Sequence, residues 1–136
     1  MRLFLSISIL IFAVSCSHTK EANQLNGTWI PIRQEMGGTE LPKEMWQKQQ
    51  LIINDSNYTV NAESVDKGIV RVNGDKMDIY GKDGVNAGKH FTAIFKYEKE
   101  ELTICYNLAG DNYPNAFETK SNQLYFLSVF KKQAEK

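Results

Sequence analysis

The chain has 136 residues, 16 basic and 16 acidic, with a sequence pI near 6.7. That length holds one domain and one core. The balanced charge carries no basic stripe, which excludes nucleic acid as a partner and leaves no cluster of positive charge for anionic lipid heads.

The first elements are not fold. "MRLFLSISILIFAVSC" has a positive start at Arg2, an uncharged apolar run, and small residues before Cys16. That order predicts a signal peptide over residues 1–15. The apolar run is too short to span a bilayer, which takes roughly 20 residues. "AVSC" resembles a bacterial lipobox, in which the cysteine is lipid-modified and becomes the first mature residue. The resemblance implies a lipidated Cys16, a membrane partner through that lipid, and a place in the bacterial cell envelope. Each buried CH₂ is worth about 0.8 kcal/mol, so several acyl chains anchor firmly. Residues 16–23 then read as a polar tether, which discounts His18 as a ligand or base. Loss of Arg2 with the leader leaves a net charge of about −1. With Cys16 acylated, Cys105 has no partner for an intramolecular disulfide and reads as a small buried hydrophobe.

The folded domain is expected over residues 24–132, with a tail at 133–136. "GTWIPIRQE" alternates as a first strand, Trp29 and Pro31 on one face and Ile30 and Ile32 on the other. Pro31 cannot donate to a ladder and signals an edge or bulge. "MGGTEL" is a turn. "PKEMWQKQQ" predicts a short helix with Pro42 in its first turn and Met45 and Trp46 as apolar contacts. "QLIIN" and "YTVNA" flank the tight turn "DSN". "GIVRV" and "KMDIY" flank Asn73-Gly74-Asp75, and Asn-Gly between alternating runs predicts a type I′ hairpin. After the loop "GKDGVNAG", the run "KHFTAIFKYE" places Phe91, Ala93, Phe95 and Tyr97 on one face and Thr92, Ile94 and Lys96 on the other. "LTICYNL", a Gly/Asp/Asn/Pro loop and "QLYFLSVFKK" complete the chain.

Eight or nine short strands joined by tight turns predict an all-β fold: an antiparallel up-and-down meander. Closure removes sheet edges, so a barrel or half-barrel is expected, with one short helix after the first strand. A two-sheet sandwich is the alternative. An eight-stranded barrel is just wide enough to be filled by side chains or to hold one small ligand. Residues expected to line such a cavity, or to fill the core in its place, are Trp29, Phe91, Phe95, Tyr97, Tyr106, Tyr125 and Leu127.

Other chemistry finds little support. "GKDGVNAGKH" lacks the first glycine and the final Ser or Thr of a phosphate loop, since Asp83 and His90 stand there. Val85 breaks the alternating acids of a calcium loop. His90 has no Cys/His cluster around it, so no metal site is expected. No base accompanies Cys105 as a nucleophile. No cofactor is implied, and the chain reads as a non-enzyme. Asn26-Gly27-Thr28 and Asn57-Tyr58-Thr59 match the N-glycosylation pattern, read as accidental in a bacterial protein.

Two features resemble known families. "LNGTW" at residues 25–29, with Lys131 and Lys132 ending the last strand, resembles the lipocalin-like, or calycin, pattern. The resemblance implies that a cation over the Trp29 indole closes one barrel end. "LTICYNLAGDNYPNAF" resembles a planctomycete-type small bacterial domain family of unassigned function, through Leu102, Cys105, Tyr106, Gly110, Pro114 and Phe117. Tyr113 departs from it, standing where Arg usually precedes the proline. This second resemblance covers roughly Leu25 to Lys132, nearly the whole mature domain. The two resemblances imply a lipocalin-like barrel and no reaction. The expected function is binding of a small apolar or amphipathic ligand by an envelope lipoprotein. The alternative is an envelope protein-interaction module, of inhibitor, immunity or stress type, with a packed barrel.

Overall fold

The computed structural model describes residues 24–135. The expected signal peptide, Cys16 and the tether lie outside the described residues. Nine strands follow in chain order: β1 (Gly27–Met36), β2 (Thr39–Glu40), β3 (Gln50–Asn54), β4 (Asn57–Asn61), β5 (Val65–Asn73), β6 (Lys76–Asp83), β7 (His90–Glu98), β8 (Glu101–Asn107) and β9 (Tyr125–Lys132). Every pairing is antiparallel. Neighbours from β3 to β9 pair in sequence, and β1 pairs with both β3 and β9. The meander therefore closes into an eight-stranded barrel, with β2 as a short flap on β1. The sandwich is excluded.

Period-two alternation builds the interior. On β7, Phe91, Ala93 and Phe95 belong to the barrel core, while Ile94 packs on the outer face. Opposite them on β8, Leu102, Ile104 and Tyr106 point inward. One half of the barrel is filled. Leu25, Trp29, Phe95, Leu102 and Phe130 pack there, with Trp29 completely buried. The Trp29 Nε1–H donates to the Leu25 carbonyl at 2.7 Å, satisfying its one polar atom.

Local chemistry meets the sequence expectation at Pro31 and departs from it in three places. Pro31 does mark a bulge: the β1–β9 register skips Ile32, which turns outward. The segment after β2 is only one turn of 3-10 helix, Lys43–Met45, behind Pro42. Trp46 is buried there, but Met45 is 61% exposed and contributes no core contact. The β5–β6 turn is Gly74-Asp75, between paired Asn73 and Lys76. Positive φ falls on Gly74 (61°) and not on Asp75, the pattern of a II′ turn with glycine first. The expected glycine serves the turn, one position earlier in it.

The connection 108–124 folds back over the outer face of β7–β9. Beneath it lies a second apolar cluster of Ile94, Cys105 and Leu127, packed by Phe117 and Val129. Asn107 ties the turn of this connection: its side chain donates to Asp111 Oδ1 and to the Asn112 carbonyl, both at 2.8 Å, and accepts from the Ala109 amide. Gly110, with φ of 70°, lies against the His90 carbonyl where no side chain fits.

Candidate ligand site

The half of the barrel opposite Trp29 is hollow. A cavity of about 260 Å³ opens among the ends of the strands, walled by apolar side chains that include Leu51, Ile53, Val60, Val70, Met77, Ile79, Phe91, Ile104, Phe126 and Phe130. Four kinds of polar group interrupt this wall.

Asp66 is the first. It sits on the inward face of β5, 6% exposed. The Tyr58 hydroxyl donates to its Oδ2 at 3.1 Å, the Asn86 side-chain amide to Oδ2 at 3.0 Å, and the Asn86 backbone N–H to Oδ1 at 3.2 Å. Burial, then the Asp66 charge and its hydrogen bond, push the Tyr58 phenol well above its ordinary range. Glycine makes this cluster possible. Tyr58 stands directly across from Gly68, where any side chain would come within 2.6 Å of the Tyr58 ring. Gly81 leaves room for the Asn86 backbone in the same way. The loop "GVNAGK" is held by Gly81 N–H to the Lys89 carbonyl and Gly88 N–H to the Gly81 carbonyl, both 2.9 Å, so that Val85 and Asn86 reach the cavity.

Asn86 is thus the second polar group, and Gln34 with its neighbours the third. The buried Gln34 side chain donates to Gln49 Oε1 at 2.9 Å and to Ser128 Oγ at 3.3 Å. Gln49 in turn donates to the Met45 carbonyl, which fixes the helical turn beside the mouth.

Tyr106 is the fourth. Its ring stacks on Phe126 at 5.5 Å between centroids, and its hydroxyl has no hydrogen-bond partner among the described residues. Burial pushes its phenol well up as well, so both cavity tyrosines are neutral at physiological pH.

The residues singled out from the sequence divide into three groups. Phe91 and Tyr106 line the cavity. Trp29 and Phe95 lie in the packed half, and Tyr97 stands edge-on to Trp29 at 5.9 Å, 42% exposed. Tyr125 and Leu127 are on the outer face, across from Asn107 and Cys105, and line nothing. Their strand is apolar on both faces because the connection 108–124 covers its outside, so alternation alone could not show which face turned inward. At the closed end, Lys132 Nζ lies 5.4 Å from the centre of the Trp29 ring. Lys131, paired with Ile30, is exposed on the other face and takes no part.

Asp66, Asn86 and Gln34 escaped the sequence reading. Asp66 shares a period-two face with Gly68, Val70 and Val72, and that phase was the available signal. His90 is placed outside the barrel, its Nε2 2.8 Å from Asp78 Oδ1 and its ring stacked on Tyr80. Tyr113 donates to the other Asp78 oxygen at 2.6 Å. Among the described residues, no three His, Cys, Asp or Glu side chains converge on a metal position.

No protein-family model matches the chain, and no curated protein matches it significantly.

Proposed function

We propose that this protein is a lipocalin-like binding barrel that holds one small apolar or amphipathic molecule without chemical conversion, carried in the bacterial envelope on a lipidated Cys16. The observation that supports it is the cavity of about 260 Å³, apolar on most of its wall and interrupted by few polar groups. That is the general build of a small-molecule site. An engineered apolar cavity of about 150 Å³ takes benzene, so this one suits a ring with a short chain. A hollow barrel counts against the alternative, an interaction module with a fully packed interior. The lipid anchor rests on "AVSC" alone.

The test is native mass spectrometry of the full chain purified from its host's membranes. A reproducible small-molecule adduct, lost from a variant with Val70 and Ile79 both changed to Phe to fill the cavity, is the expected result. An adduct-free barrel that also fails to take up added apolar molecules would overturn the reading.

A further inference from the structure

The cavity wall is chemically lopsided. Asp66 is its sole charged lining residue, and no Lys, Arg or His joins it. Nor does any basic group among the described residues lie within ion-pair distance of Asp66; the ion pairs formed are Arg33 with Glu35 and Glu40, His90 with Asp78, and Lys96 with Glu98. All three donors to the Asp66 carboxylate are neutral groups. A carboxylate offers about four acceptor positions, so one is left unfilled, on Oδ1, which accepts only the Asn86 N–H.

This arrangement discriminates between ligand heads. A buried carboxylate without a cation is costly, and the cost falls when a positive charge arrives. A carboxylate or phosphate head would meet a like charge and no basic partner. A neutral head would leave Asp66 uncompensated. The rings that share the cavity with Asp66 add to the preference. Tyr58, Phe91, Tyr106 and Phe126 present aromatic surface to the same space, and aromatic faces attract cations, most strongly where water is excluded. The Tyr106 hydroxyl, without a partner of its own, offers a further acceptor.

Building on the binding reading, we propose that the ligand is a small amine with an aromatic or short alkyl body, its ammonium seated on Asp66 and its body against Phe91, Tyr106 and Phe126. The volume limits the body to roughly one ring and a two- or three-atom chain.

Titration calorimetry of the full chain with three probes of matched shape tests this: 2-phenylethylamine, 2-phenylethanol and 3-phenylpropionate. The amine is expected to bind at least about tenfold more tightly than the alcohol, and the acid not measurably. That comparison needs no variant. In Asp66→Asn, the amine is expected to lose about tenfold or more and to lose clearly more than the alcohol, with circular dichroism checking that the barrel is folded. Alcohol binding equal to amine binding, or an amine affinity indifferent to Asp66→Asn in a folded barrel, overturns the amine assignment and leaves the binding barrel standing. Failure of all three probes also overturns the assignment, and the wider reading is then decided by the mass-spectrometric test.

Discussion

The Cys105 thiol points out of the barrel and donates to the Glu118 carbonyl oxygen across 3.8 Å, beneath the connection 108–124. Burial pushes this thiol up to about 11, partly offset by the Glu118 backbone hydrogen bond and reinforced by the Glu35 and Glu118 charges. In the variant Cys16→Ser, which leaves one cysteine, alkylation at pH 8 should be slower in the native protein than in denaturant by about a hundredfold, following the thiolate fraction. The raised value also means that the neutral thiol's contribution to stability is fully present below the ordinary thiol range. It is lost as pH rises toward 11. Equal labelling rates with and without denaturant would show that the connection does not cover Cys105.

At the closed end, Trp29→Ala should cost about 3–5 kcal/mol, the usual loss for a large buried aromatic. Lys132→Met keeps the stem over Gly27 and Trp29 but removes the charge, and should cost about 0.5–1 kcal/mol. Urea unfolding midpoints distinguish the two. A Lys132→Met loss as large as that of Trp29→Ala would contradict the placement of the ammonium as a lid on an already packed indole.

Two glycines separate strain from collision. Gly74 has open space around it but a φ of 61°, so Gly74→Ala should cost about 1–2 kcal/mol from the left-handed backbone alone. Gly68 has no positive φ, yet a methyl there would run into the Tyr80 carbonyl and the Tyr58 ring. Gly68→Ala should cost about 1–3 kcal/mol by overpacking and should also disturb ligand uptake, because Tyr58 must move. Gly74→Ala should leave uptake unchanged.

The connection 108–124 is latched at Asp78. Burial opposes ionisation there, but hydrogen bonds from Tyr113 and His90 and the nearby His90 and Arg71 charges outweigh it, so the carboxyl lies below its ordinary value. A depressed carboxyl contributes stability above its unfolded value, and that contribution disappears as pH falls through the folded one. Proteolysis within 108–124 should therefore accelerate at pH below about 3.9, using an acid-active protease. Tyr113→Phe should show much of that sensitivity already at neutral pH. A connection equally resistant in both proteins would exclude the latch.

Replacement of Cys16 by Ser should move the protein from the membrane to the soluble fraction. Continued retention would refute the lipobox reading.

The alternation in "HFTAIFKYE" was enough to place Phe91 and Phe95 inside, and hairpin spacing was enough to imply a meander that closes. Period two works where one face of a strand is wet. It fails for "YFLSVF", where both faces are covered, and it leaves Leu127 ambiguous. The polar end of the cavity was harder to see, because a single Asp among Val, Lys and Gly looks like a solvated position until β4 and the loop around Asn86 are brought against it. Such convergence depends on three separate stretches of chain, and no one of them carries it alone.

The Leu25 carbonyl receives the Trp29 indole N–H, and the Gln133 amide bonds back to the Thr28 carbonyl at 2.8 Å. The described chain thus begins and leaves the barrel at one pole, and the hollow opens at the other. A dye, an affinity tag or a solid support joined through either end of this domain would leave the opening unobstructed and facing the medium.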